Sequence, residues 1–276
     1  MIYPQLAKQA EVTSLTAYIN DNTWVMEQKL DGNRILLMSP GMDMPPTAIT
    51  RNGSLYSKKI PKAILDFRFP EGEWVLDGEL VGDTYWVFDL PHSPLQDVQP
   101  NTPVPFFGRR AMLETLLDNL GDHPFRLVPQ AQTPAEKVRL ADIAIVNNFE
   151  GLLLKKIDSP YRSGGRTDEW LKVKFVTTAD CIVLGVRDDG KDSVRLGMCV
   201  DGDLRATCDV GRASLIGKEK SGAIAVGDVI EVRYLYTGAG GRLFQPTIMR
   251  KRDDKAAHEC TTDQLKFVNK EVLATL

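Results

Sequence analysis

The apolar residues of this chain fall mostly in short strand-like runs bounded by turn residues, with two segments of helical period among them, which points to an α+β fold. Residues 24–38 read as two strands around a turn, WVMEQKL and RILLM with Asp31-Gly32-Asn33 between them. Trp74–Leu80 and Thr84–Leu90 are strand-like and separated by the turn-prone Val81-Gly82-Asp83. Leu152–Leu154 reads as a short buried strand. In Trp170–Phe175 the side chains alternate, with Leu171, Val173 and Phe175 on one face and Trp170, Lys172 and Lys174 on the other. Two segments change period. In Arg109–Leu120 the spacing of Leu113, Leu116, Leu117 and Leu120 predicts an amphipathic helix, and Thr133-Pro134 opens a second, capped one. The proline-rich stretch 91–106 reads as loop.

Beyond residue 176 the character shifts to short strands set apart by Gly and Asp: IVLGV, VRLGMCV, AIAVGDVIEVRYLY and RLFQPTIMR. That pattern predicts a small β-barrel, and we expect domains at 1–175 and 176–276. The 276 residues, 43% of them hydrophobic, suffice for two cores. No stretch approaches the roughly 20 apolar residues of a membrane span, and the first residues lack a secretory pattern, so we expect a cytoplasmic protein, in the nucleoid or a phage-infected cell. The four cysteines, Cys181, Cys199, Cys208 and Cys260, include no Cys-x-x-Cys pair; buried reduced thiols are expected, with a Cys199–Cys208 pair as the alternative. The net charge of −3 announces no polyanionic partner, so a nucleic-acid face would have to be a local concentration of Lys and Arg.

Chemistry concentrates in Lys29-Leu30-Asp31-Gly32-Asn33-Arg34. On a continuous strand Glu27, Lys29 and Asp31 project together, an amine between carboxylates, and Gly32 permits the turn that returns Arg34. A lysine attacks only after losing its proton, so phosphate or metal chemistry has to shift that balance. Further charged strings follow in order: Arg51-Asn52-Gly53, Asp77-Gly78-Glu79, Phe88-Asp89-Leu90, Glu150-Gly151 running to Lys155, and Trp170-Leu171-Lys172-Val173-Lys174. Each alone reads equally as a hairpin turn, a core phenylalanine or a solvated edge strand. Their succession does not.

Together these strings resemble the ATP-dependent DNA ligase family, within the lysine nucleotidyltransferases that also include RNA ligases and mRNA capping enzymes. The resemblance spans about residues 24–260 and implies an ATP-grasp-like nucleotidyltransferase domain of antiparallel sheets with helices, followed by an OB-fold barrel. It makes Lys29 the adenylated residue. Arg51 then grips the nucleotide or nick phosphate, with Asp31 and Arg34 beside it. Glu79 serves the ribose or metal, Phe88 stacks on the base, and Glu27 supports adenine recognition. Asp31, Glu79 and Glu150 are the implied metal ligands, and Lys155, Lys172 and Lys174 contact phosphate. Arg252-Asp253-Asp254-Lys255, flanked by Arg250, resembles the terminal R-x-D-K motif, whose barrel closes over ATP and orients pyrophosphate. Arg252, Lys255, Lys172 and Lys174 therefore join Lys29 as catalytic, with Arg252 and Asp254 also at the nucleotide.

The implied cofactors are ATP and Mg²⁺, with Mn²⁺ as a substitute. The implied partner is nicked duplex DNA, met by a monomer through Arg51, Lys155, Lys156, Arg162 and Arg166, in repair, replication or recombination. Only 28 residues precede Lys29 and no latch insertion is evident between 176 and 250, so partial encirclement or an accessory DNA-binding partner is expected. The lack of a multi-cysteine zinc element and of a nicotinamide-binding domain argues against NAD-dependent ligases. An RNA ligase, a capping guanylyltransferase and an inactive nucleic-acid-binding scaffold remain as alternatives; Arg252-x-Asp254-Lys255 favours DNA ligase over the first two.

Overall fold

The computed structural model describes residues 2–41, 44–96, 103–187, 193–214, 224–238 and 240–268. Packing divides the chain into one unit of Met1–Asp142 with Gly151–Val173 and another of Ile143–Glu150 with Lys174–Leu276. Among the described residues no helix is long and apolar enough to cross a membrane.

The first unit contains two five-stranded sheets. One runs, in spatial order, β1 (Leu6–Ala10), β10 (Arg166–Lys174), β9 (Gly151–Lys156), β2 (Trp24–Gln28) and β8 (Gln130–Ala131). The other runs β4 (Thr47–Thr50), β3 (Asn33–Ser39), β5 (Trp74–Val81), β6 (Thr84–His92) and β7 (Phe125–Leu127). The expectation of antiparallel sheets needs correction, because β1 pairs parallel with β10 and β7 parallel with β6. The second case has a plain cause: a helix, α3 (Phe106–Asn119), carries the chain from β6 back to the start of β7, and such a crossover delivers a parallel neighbour. The strands on either side of Asp31-Gly32 are not partners either. β2 pairs with β9 and β8, β3 with β4 and β5, so residues 29–32 carry the chain from one sheet to the other.

The helix reading of Leu113, Leu116 and Leu117 holds: all three are buried in a core with Ile35, Leu37, Leu76, Tyr85 and Val87 of the second sheet. The Tyr85 hydroxyl, sealed in that core, lies 3.0 Å from the carbonyl oxygens of both Ile35 and Leu76 and shares its one proton between them. The helix α4 (Pro134–Val146) begins with a reciprocal cap. Glu136 N–H donates to Thr133 Oγ1 at 3.3 Å, while Glu136 Oε2 accepts from Thr133 N–H at 2.9 Å. Two further short helices are α1 (Leu15–Ile19) and α2 (Lys62–Leu65).

The second unit holds a closed barrel in the order β11 (Thr177–Arg187), β12 (Ser193–Val200), β13 (Asp203–Ser214), β15 (Thr247–Lys251) and β14 (Val229–Tyr234). Cys181, Val183, Val194, Leu196, Met198, Ile230, Val232 and Tyr234 fill its interior. All four cysteines are free thiols. In the β12–β13 ladder Met198 stands opposite Cys208 and Cys199 opposite Thr207, so Cys199 and Cys208 face opposite sides and no disulfide forms between them.

Gly78 illustrates how tightly the first unit is built. A Cβ there would lie 2.5 Å from the Trp86 carbonyl oxygen and 2.7 Å from the Tyr85 ring. Both neighbours are fixed by the core, so Gly78→Ala should cost about 1–3 kcal/mol of stability. Denaturant unfolding monitored by far-UV circular dichroism checks this; an unchanged midpoint would contradict the packing.

Candidate active site

A cavity of about 450 Å³ opens in the first unit, lined among others by Glu27, Lys29, Arg34, Arg51, Glu79, Phe88, Arg166, Trp170 and Lys172. Eight residues expected at a site from sequence thus line one space. Lys29 reaches it because the chain leaves β2 at Gln28; its N–H donates to the Gly151 carbonyl at 2.9 Å as the segment crosses. The strand alternation ends there, so the expected grouping of Asp31 with Glu27 and Lys29 does not follow, and half-buried Asp31 is not among the residues lining the cavity.

Gly32 serves a purpose other than a turn. Its φ is not positive, but a Cβ would collide with the Leu80 carbonyl oxygen, so glycine lets the crossing segment lie against β5. Gly32 N–H also donates to Glu79 Oε1 at 3.1 Å, which fixes the Glu79 carboxylate beside the lysine segment.

Arg34 returns on β3 and grips Asp77 with two charge-assisted bonds, Nε to Oδ1 at 2.9 Å and Nη2 to Oδ2 at 2.6 Å. The Tyr161 hydroxyl donates to the same Asp77 Oδ2 at 2.7 Å, and beside that carboxylate its pKa is pushed well up, mainly by burial. The Arg34 guanidinium lies 5.3 Å from the Phe88 ring centroid and 5.8 Å from that of Trp170. Phe88 is only 5% exposed, although it lines the cavity. The residue after it anchors the strand: buried Asp89 accepts from Arg109 Nε at 2.8 Å and Nη2 at 2.9 Å, and Arg109 reaches on to the carbonyls of Val104 and Ser159.

Lys155 requires a correction. Expected at phosphate and DNA, it is wholly buried, with Nζ 2.6 Å from Glu27 Oε2. Three rings enclose its ammonium, Phe88 at 4.4 Å, Trp170 at 4.5 Å and Phe106 at 4.8 Å to their centroids. Loss of hydration lowers its pKa, and the Glu27 carboxylate opposes that shift. Glu27 in turn accepts from Gln130 Nε2 at 2.6 Å. The sequence hid this arrangement because Lys155 sits in an EGLLLKK strand that gives no sign of its cross-strand neighbours.

The remaining basic residues are partly neutralised. Lys156 pairs with Asp158 at 3.6 Å and Arg162 with Glu169 at 3.3 Å; exposed Arg166 donates to the Ala7 carbonyl at 2.6 Å. Lys174 pairs with Glu150 at 3.2 Å; both belong to the second unit. In that unit Arg252, Asp254 and Lys255 form an ion-pair cluster with Asp180. Lys58, absent from the sequence-derived set, lines the cavity and donates to Asn33 Oδ1 at 3.0 Å. Among the described residues no three His, Cys, Asp or Glu side chains converge as a metal cage. Of the three carboxylates expected at a metal, Glu79 lines the cavity.

Removing one member of the Glu27–Lys155 pair strands a buried charge. Lys155→Met should therefore cost about 3–5 kcal/mol, and the double change Glu27→Leu with Lys155→Met should recover most of it. Urea unfolding of both variants checks this; a double variant no more stable than the single would refute it.

Residues 83–174 match the family model of the ATP dependent DNA ligase domain. The SPbeta prophage-derived DNA ligase-like protein LigB of Bacillus subtilis is 27% identical over 196 residues, 62% of this chain and 68% of its own. A probable DNA ligase of Nocardioides is 28% identical over 209 residues, and there the match takes up 67% of this chain but only 40% of the relative. Among solved structures, a Lig E DNA ligase described as DNA binding with a minimal scaffold superposes with a TM-score of 0.66 at 21% identity, over 91% of this chain and 100% of its own. Mycobacterial DNA ligase D, solved with ATP and MES, gives a TM-score of 0.52 at 21% identity over 94% of this chain and 98% of that one. The ordered motifs, the matched domain and these relatives agree, and over the matched part the chain is similar to ATP-dependent DNA ligases.

Proposed function

We propose that this protein seals nicks in duplex DNA by way of a lysyl-AMP on Lys29. The observation that carries the reading is the crossing segment, which brings Lys29 into one cavity with Glu79, Phe88, Trp170 and Lys172. A space of about 450 Å³ is of the size that takes a small ligand.

Once its ammonium has given up a proton, Lys29 Nζ forms a bond to the α-phosphorus of ATP as the bond to pyrophosphate breaks, the leaving oxygen keeping the electron pair. A 5′-phosphate oxygen of the nick then displaces Lys29 from the adenylyl phosphorus. In the last step the 3′-hydroxyl attacks the 5′-phosphorus and AMP departs, carrying its bonding electrons, while the hydroxyl proton passes to solvent. Lys172 and Lys174 offset phosphate charge, so that one anion can approach another, and Arg252 and Lys255 take up the charge on pyrophosphate. Mg²⁺, held by Glu79 and the substrate phosphates, would polarise phosphoryl oxygens. Phe88 is the ring against which the base stacks.

Duplex DNA meets the first unit through Arg51, Arg166 and Lys172, with Lys156 exchanging exposed Asp158, and Arg162 half-buried Glu169, for backbone phosphates. Exposed pairs of this kind are worth about 0–1 kcal/mol, so the exchange costs little. The minimal scaffold named for Lig E supports DNA binding by a chain of this extent. The barrel of the second unit we read as an OB-fold.

Incubation with Mg²⁺ and α-labelled ATP or GTP, followed by denaturing electrophoresis and a chase with nicked DNA, tests the reaction. Label from ATP that disappears in Lys29→Ala and moves into sealed duplex is the expected result. Label from GTP would instead indicate capping chemistry, and nick binding without label an inactive scaffold. Binding to nicked duplex should weaken linearly in log–log plots against salt, and Arg166→Ala should reduce the slope by about 1. Fluorescence anisotropy over a salt series measures this, and an unaltered slope would remove Arg166 from the interface.

A further inference from the structure

The four residues Asp180, Arg252, Asp254 and Lys255 form a closed electrostatic set within the barrel unit. Arg252 Nε and Nη2 donate to Asp254 Oδ1 and Oδ2 at 2.8 and 2.9 Å. Arg252 Nη1 turns to Asp180 Oδ1 at 3.1 Å, and Lys255 Nζ donates to Asp180 Oδ2 at 2.6 Å. Two cations thus face two carboxylates.

The carboxylates differ in kind. The Asp254 side chain is 65% exposed and bound to one partner, whereas that of Asp180 is 9% exposed and gives one oxygen to each cation. Asp180 is also fixed from behind: it lies on β11, its N–H donates to Gln264 Oε1 at 2.9 Å, and it stands opposite Glu231 of β14. Glu231 is itself taken up by Arg250, at 2.6 Å. Arg252 is held through its own backbone as well, its N–H donating to the Val229 carbonyl at 2.8 Å. The hydrogen bond to Asp180 raises the pKa of the Lys255 ammonium and so keeps its proton in place.

A long arginine and a long lysine lose much side-chain freedom when they grip an anion. A buried carboxylate bridging both sets their spacing and rotamers before any anion arrives, and the exposed carboxylate on the outer edge of the guanidinium is the one a phosphate can replace, since both present paired oxygens to the fork. We propose that Asp180 is a positioning residue for adenylyl transfer to Lys29, acting through Arg252 and Lys255 and not by touching the nucleotide. This rests on the ligase reading given above. Asp180 then matters where pyrophosphate leaves and is dispensable where pyrophosphate plays no part.

The test compares two assays on the full-length protein and its Asp180→Asn and Asp180→Glu variants: lysyl-AMP formation across an ATP series with Mg²⁺, and closure of a nicked duplex already adenylated at its 5′ end. Asp180→Asn should slow lysyl-AMP formation about tenfold, with closure of the adenylated nick within about twofold of the parent, and Asp180→Glu should restore part of the loss. In an Arg252→Ala, Lys255→Ala background, Asp180→Asn should have no further effect on lysyl-AMP formation. Equal loss in both assays, a further loss in that background, or an unchanged or faster first step would each overturn the proposal. Absence of lysyl-AMP from the parent protein would instead sink the ligase reading, and this inference with it.

Discussion

The buried ammonium of Lys155 holds the first unit's site together. It comes from β9 of one sheet, pairs with Glu27 of β2 in that same sheet, and lies against Phe88 of β6 in the other. Trp170 of β10 and Phe106 of α3 close the remaining sides. An ion pair taken out of water has no large net stability to offer, because the loss of hydration offsets most of the attraction. It offers geometry instead. A charge this deep tolerates few arrangements, and the one it adopts fixes how two strands, a helix and a second sheet approach one another. The aromatic faces add an attraction of the same sign, each of modest size alone but all directed at one nitrogen.

From that fixed point the crossing segment acquires its meaning. Lys29, Gly32 and Arg34 are spaced as they are because the chain must leave one sheet, pass in contact with Leu80 of β5, and enter the other within a few residues. Glycine is needed for close approach, arginine to reach Asp77, and the lysine is left at the gap between the sheets. The same logic applies to Asp77-Gly78-Glu79: aspartate anchors Arg34, glycine admits the Tyr85 ring, and glutamate receives the Gly32 N–H. A motif in the sequence is here a record of a crossing in space.

This explains what could be read beforehand. Periodicity revealed the leucine face of α3 and most strands, because each depends on neighbours within a few positions. It did not reveal β13, whose side chains are mostly polar and exposed, or that β2 and β3 belong to different sheets. Eight of the residues that line the cavity were legible through their order along the chain. The fate of Lys155 was not, since its burial is decided by Glu27, Phe88, Phe106 and Trp170, all distant in sequence. Lys58 escaped notice for the opposite reason: an exposed lysine between strands carries no local signature, and only the fold brings it to the cavity.

Charge follows a similar rule. The chain's net charge of −3 conceals many cations that already have carboxylate partners. What separates them is burial. Where a pair lies in solvent, as Lys156–Asp158 does, water screens it and a phosphate can substitute for the carboxylate at small cost. Where one partner is sealed in, as Glu27 and Asp180 are, exchange would strand an anion, and the pair persists while substrates come and go. The exposed cations are therefore those available to polyanions, and the sealed pairs are those that decide where the available ones point.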